Sequence, residues 1–194
     1  MKRQHLCLGA LAFAALSITA CSKDDDPAPE PKPAIVSTTA TNVNADAGNT
    51  GKFTLYSLAD NKVIANTDSA TSKWDIGFRA TTVIINGGTS GPGKAEAQVL
   101  TGVYNDLAAA PETGYAADAA TKAITGWYNY NMTTHVISPV TGKFIVMKTA
   151  AGKYAKIEVT SYYKDAPASP TQTSESRYYH FRYVYQPDGT RNFK

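Results

Sequence analysis

From residue 52 onward, short apolar and β-branched runs alternate with turn residues, and no long stretch repeats at helical spacing. Strands place successive side chains on opposite faces, so this pattern predicts an all-β fold. Residues 52–58 read as a strand, Ala59-Asp60-Asn61-Lys62 as a turn, and Val63-Ile64 as the start of the returning strand. Residues 74–78 and 81–85 read as two more strands. Residues 144–148 and 154–159 flank Ala150-Ala151-Gly152, a hairpin loop in which Gly152 takes positive φ. Residues 178–185 alternate without a break. Tyr179, Phe181, Tyr183 and Tyr185 fall on one face, which is expected to be core. Tyr178, His180, Arg182 and Val184 fall on the other, which is expected to be half-exposed, with His180 in solvent. Residues 104–124 are rich in alanine, but Pro111 and Gly114 limit any helix there to a short one. Residues 167–176 read as a polar loop. The expectation is a single, mostly antiparallel β domain over residues 36–194.

The first residues follow a different rule. Met1-Lys2-Arg3 precedes an apolar run, residues 6–18, too short for a comfortable bilayer span. The run closes on Ser17-Ile18-Thr19-Ala20-Cys21, which resembles a bacterial lipobox. Residues 1–20 are therefore expected to be a lipoprotein signal peptide, with Cys21 as the lipidated residue. Ser22-Lys23-Asp24-Asp25-Asp26 resembles a lipoprotein surface-export signal. Pro27, Pro29, Pro31 and Pro33 then favour an extended tether of about 3 Å per residue. Residues 21–35 thus read as an acidic, proline-rich tether. The membrane contact expected is the lipid anchor alone.

This reading changes the charge. The whole chain carries +3, but removing the first 20 residues leaves 17 basic against 16 acidic side chains. That balance gives no basis for nucleic-acid binding. Cys7 leaves with the signal and Cys21 is lipidated, so thiolate chemistry drops out. His5 leaves too, and the two remaining histidines cannot build a three-histidine zinc site. Residues 88–95 nearly spell a phosphate loop, but Ala95 stands where the magnesium-binding hydroxyl belongs, and Pro92 removes a backbone donor. They read as a glycine turn. There is no G-x-S-x-G elbow and no carboxylate pair at a diagnostic spacing. An enzyme is not expected.

The aromatic residues carry the remaining chemistry. Eleven of 12 tyrosines lie between Tyr104 and Tyr185. Gly126-Trp127-Tyr128-Asn129-Tyr130-Asn131-Met132-Thr133-Thr134-His135 gathers three aromatics, a thioether and an imidazole. Trp127, Tyr128 and Tyr130 offer flat faces for a planar ligand or a sugar ring, or else belong to the core. Met132 and His135 are candidate ligands for a haem iron. Met147, in an apolar strand, reads as core.

Several segments in order resemble the HmuY family, haem-binding surface lipoproteins of the Bacteroidota. They are Lys52-Phe53-Thr54-Leu55-Tyr56-Ser57-Leu58, Trp74-Asp75-Ile76-Gly77-Phe78-Arg79, and Ile85-Asn86-Gly87-Gly88-Thr89-Ser90-Gly91-Pro92-Gly93. Gly126-Trp127, Gly152-Lys153-Tyr154-Ala155-Lys156 and Ser161-Tyr162-Tyr163 follow. The resemblance implies an all-β fold of the HmuY type, haem held between two axial side chains, and a role in haem scavenging at the outer membrane. It also implies delivery to a TonB-dependent receptor. One family ligand lies five residues after the tryptophan, which here is Met132. The other comes from a segment before Gly126-Trp127, and residues 115–125 are shorter and hold neither His nor Met. Three arrangements stay open. Met132 holds iron alone or with His135; a phenolate of Tyr115, Tyr128 or Tyr130 takes part; or haem is not bound strongly. The alternative function is glycan or protein binding through a tyrosine-rich face.

Overall fold

The computed structural model describes residues 31–194. The signal peptide, Cys21 and most of the tether lie outside the described residues. Eleven strands follow the alternation of the sequence: β1 (Val36–Asn44), β2 (Thr54–Ser57), β3 (Lys62–Ile64), β4 (Ile76–Arg79), β5 (Thr82–Ile85), β6 (Glu96–Thr101), β7 (Tyr128–Asn131), β8 (Val136–Pro139), β9 (Lys143–Lys148), β10 (Tyr154–Tyr163) and β11 (Ser176–Gln186). One sheet runs β1-β11-β10-β9-β6, a second β3-β2-β4-β5, and β7-β8 forms a separate ribbon. Every named pairing is antiparallel. The all-β expectation is met.

The two larger sheets share one core. Tyr56, Ile76, Phe78 and Ile85 from one meet Ile145, Met147, Ile157, Tyr179, Phe181 and Tyr183 from the other. Aromatic rings bridge the layers. Phe78 lies 4.5 Å from Tyr179 and 5.4 Å from Phe181, and Tyr56 meets Phe181 edge-on at 5.4 Å. The odd-numbered face of β11 is core, as the alternation requires.

Its even-numbered face is more covered than expected. Val184 lies under a second cluster with Tyr104, Ala110, Phe144, Val146 and Phe193. His180 is 7 % exposed rather than solvated. The cause is a bulge in β1 between Ala40 and Val43. There Asn42, at φ 52°, turns its amide oxygen to His180 Nε2 at 2.9 Å. Burial lowers the imidazole's pKa. The alanine-rich segment forms a single 3-10 turn, Tyr104–Asp106, and no α-helix.

The segments that carry the resemblance are scaffold. Asn86 is fully buried, and its amide donates to Thr71 O at 2.9 Å and Trp74 O at 2.8 Å. Its oxygen accepts Gly93 N–H at 2.9 Å. The glycine loop wraps this amide so closely that a Cβ on Gly91 would come within 2.3 Å of Asn86 Oδ1. The loop is therefore a backbone clamp on Asn86, consistent with its reading as a turn. Beside it, the Asp75 carboxylate accepts Leu58 N–H at 2.9 Å, tying the end of β2 to β4.

Burial pushes the Asp75 carboxyl up to about 6; the Leu58 hydrogen bond opposes this rise and Asp60 adds to it. The folded chain thus holds a proton that the unfolded chain releases near pH 4. Its stabilising contribution is present below pH 4 and is lost as pH rises through about 6. On the order of 3 kcal/mol should be lost across that window through this one group. Urea unfolding at pH 4 and pH 7 checks this: Asp75→Asn should remove the loss, whereas an unchanged pH slope would contradict it.

Candidate functional site

The β7–β8 hairpin is built on Trp127. The indole is 4 % exposed and donates Nε1–H to Thr81 O at 3.1 Å. Its ring lies 4.9 Å from Tyr128, 5.1 Å from Tyr179 and 6.1 Å from Tyr162. The backbone of Trp127 then accepts Val140 N–H at 2.9 Å, and the Tyr163 hydroxyl accepts Ile137 N–H at 2.8 Å. Tyr128, Val136 and Ile137 pack half-buried against the main core. The base of the hairpin is therefore fixed to the sandwich from several sides.

Its tip is open. Asn131 pairs with Val136, leaving Met132, Thr133, Thr134 and His135 as a four-residue turn. Asn131 Oδ1 accepts the N–H groups of Thr133 at 2.9 Å and Thr134 at 3.0 Å, which closes the turn. His135 sits at φ 55°, a left-handed conformation that non-glycine residues seldom adopt. Its Nδ1 shares a hydrogen bond of 2.5 Å with the Tyr130 hydroxyl. Whichever atom holds the shared proton, Nδ1 is engaged, and Nε2 is the nitrogen left for a ligand. Met132 is 82 % exposed and Tyr130 49 %. Thioether and imidazole are both donors that haem iron accepts. The tip thus presents a thioether and one imidazole nitrogen to solvent.

Other side chains of donor type lie elsewhere in the fold, Met147 in the core as expected and His180 buried where solvent was expected. His180 is engaged by Asn42. Tyr115 packs in the second cluster, on the far face of the larger sheet, with its hydroxyl donating to Pro111 O at 3.2 Å. Burial pushes its phenol up to about 12, which opposes a phenolate. Seven of the 12 tyrosines are buried, Tyr115, Tyr128, Tyr154 and Tyr178 are half-buried, and Tyr130 is exposed. Arg79 lies over the Phe53 ring and donates to Gly51 O. Among the described residues, no three His, Cys, Asp or Glu side chains cluster as a metal site.

The shortened segment before Trp127 is held by Asp118. Its carboxylate accepts Ile85 N–H at 3.0 Å and Ala123 N–H at 2.9 Å. Between this segment and β5 lies a cavity of about 270 Å³, lined in part by Thr81, Val83, Lys122, Trp127 and Tyr128. Trp127 and Tyr128 thus wall a cavity, while Tyr130, Met132 and His135 stand beyond it. Sequence reasoning did not reach Thr81, whose carbonyl accepts the Trp127 indole N–H across 46 residues, or Val83 and Lys122, which line the same cavity.

Truncating a buried indole leaves a void and an orphaned carbonyl. Trp127→Ala should cost about 3–5 kcal/mol, while Met132→Ala should cost well under 1. Denaturant unfolding of both variants checks the division between fixed base and open tip.

Comparison with known proteins agrees with this architecture. The sequence model of the family described as HmuY protein matches residues 49–183. The apo HmuY analog of Tannerella forsythia superposes with a TM-score of 0.56 at 15 % identity, covering 80 % of this chain and 98 % of that one. A protein from Bacteroides vulgatus described as HmuY-like and heme-binding gives 0.52 at 18 % identity, with 77 % and 92 % covered. A Bacteroides fragilis protein described as a lipoprotein gives 0.50 at 17 % identity, with 77 % and 91 % covered. No curated protein matches the chain. With a match running from the loop before β2 through most of β11, the chain belongs to the HmuY family.

Proposed function

We propose that this chain is a haem- or porphyrin-binding surface lipoprotein, anchored through Cys21, that scavenges haem and passes it to a TonB-dependent outer-membrane receptor. It is read as a binding protein, not an enzyme. The observation that carries the reading is the β7–β8 tip. In a member of the HmuY family, it holds a thioether and an imidazole clear of the protein on an immobilised aromatic base. The description of the Bacteroides vulgatus neighbour as heme-binding supports it.

Met132 is the first iron contact in this reading and His135 the second. Trp127, Tyr128 and Tyr130 contribute the aromatic flank. Bound haem would supply an iron that accepts axial donors. The chain's own part is to hold the donor and shield one face of the ring. Asn131 fixes the turn that presents Met132, and Tyr130 steadies the His135 ring. A neutral thioether is a soft donor and favours the reduced metal.

Titration with hemin, with and without dithionite, tests this through the Soret band. Binding should be at least tenfold tighter for ferrous than for ferric haem, and Met132→Ala should remove most of that preference. No Soret change in either state would end the haem reading. A change that survives Met132→Ala with His135→Ala would keep haem and discard these ligands.

A further inference from the structure

We infer that the open side of the sandwich, between β1 and β3, binds a short oligosaccharide. This site shares no residue with the β7–β8 tip.

β1 ends the first sheet and β3 ends the second. Between these two free edges lies a cleft of about 710 Å³, with residues 39–44 on one wall and Phe53, Thr54, Tyr56 and residues 61–63 on the other. Ordinary ligand pockets measure roughly 300–1,000 Å³. Val63 marks the place where the core is incomplete. It stands opposite Tyr56 in the β2–β3 pairing, so both side chains lie on the inner face of their sheet. Tyr56 is 4 % exposed, yet Val63 is 53 % exposed. The first sheet stops at β1 and leaves this inner position uncovered.

The polar groups of the cleft are held in one sense. The Tyr56 hydroxyl donates to Asn61 Oδ1 at 2.6 Å, and Asn44 Oδ1 accepts Ala47 N–H at 2.8 Å. Each amide oxygen is thus fixed by the fold, while each Nδ2 has no acceptor among the described residues. Thr39 and Thr41 add exposed hydroxyls to the same wall. Charge is sparse. Asp46 is turned into its own loop, accepting Thr50 N–H and Gly51 N–H, and Lys62 pairs with Asp60 at 3.4 Å. Lys52 adds one cation. The apolar part is small: Val63 and the half-buried Phe53 ring, which carries the Arg79 guanidinium 4.4 Å from its centre.

Oriented amide and hydroxyl groups beside a small apolar surface match a sugar. Its ring and glycosidic oxygens accept hydrogen bonds, and its C–H faces are apolar. Donors already fixed in place lose little freedom when they bind. A peptide strand fits less well, because strand addition needs a regular row of outward N–H and C=O groups. The bulge between Ala40 and Val43 falls within the cleft wall and breaks that row. The Asn44 carbonyl is taken by the Thr54 hydroxyl. At the bulge itself, Asn42 donates to Asp165 Oδ1 at 2.8 Å and shares its oxygen with His180 Nε2. The edge is closed to a strand, while the side chains of Asn44 and Asn61 stay open to a sugar.

Titration of ¹⁵N-labelled protein with maltohexaose, mannohexaose, N-acetylchitotetraose and a hyaluronan hexasaccharide, each in turn, tests this through the side-chain amide resonances. At least one sugar should shift the Nδ2 pairs of both Asn44 and Asn61 in a saturable, millimolar-range titration. Asn44→Asp with Asn61→Asp keeps both internally bonded oxygens and replaces only the free amino groups. That variant should fold, as its backbone amide spectrum verifies, and bind about tenfold more weakly. No saturable shift with any of these sugars overturns the inference. A saturable shift that spares both side chains overturns it, as does binding that survives both substitutions. Hemin should leave both amides in place; a hemin shift there makes the cleft a porphyrin site and overturns it too.

Discussion

The Trp127 indole donates its single N–H across the core to Thr81 O and lies among the rings of Tyr128, Tyr162 and Tyr179. A buried indole N–H without an acceptor costs as much as a lost hydrogen bond, so this donor fixes the ring's orientation as well as its depth. The backbone that leaves the ring becomes β7, and β8 returns to bond Trp127 O through Val140 N–H. The direction in which Met132 and His135 project is therefore set by one aromatic side chain that never reaches solvent. Burial and exposure are separated along a single hairpin: apolar packing at its base, an exposed thioether and imidazole at its end.

A second constraint supports the first. Asn86 satisfies its buried amide with Thr71 O, Trp74 O and Gly93 N–H, drawing three segments around one point. Asp118 does the same for Ile85 N–H and Ala123 N–H, bringing the segment before Trp127 against β5. Unsatisfied, each of these buried polar groups would cost about 1–3 kcal/mol. The family-like segments around Trp74 and Gly91 thus serve the frame. The residues that would meet a ligand lie outside them, on a turn that can change its donor without disturbing the sandwich.

Legibility in the sequence followed the strength of local pattern. The strict alternation of residues 178–185 identified the core face of β11, because the second sheet packs on that face through Tyr56 and Phe78. The opposite face was misjudged at His180, since its cover is the β1 bulge, more than 130 residues away in the chain. The strands β1 and β6, rich in threonine, alanine and polar residues, have weak apolar contrast and were not marked. The single 3-10 turn in residues 104–124 agrees with the limit set by Pro111 and Gly114. At the candidate site, the sequence itself offered the cluster from Trp127 to His135, while the place of Met132 five residues after Trp127 followed from the family resemblance. The open exposure of Met132, the Tyr130–His135 bond and the cavity beside Lys122 were not readable, because each depends on how the hairpin leaves the core.

The claim that ligand meets the chain at this tip can be read at a single methyl group. The chain has three methionines, and Met147, enclosed in the core, is a built-in control for Met132. In a protein carrying ¹³C-methyl methionine, hemin should shift and broaden the Met132 methyl resonance and leave that of Met147 in place. A Soret change accompanied by an undisturbed Met132 methyl would contradict the account.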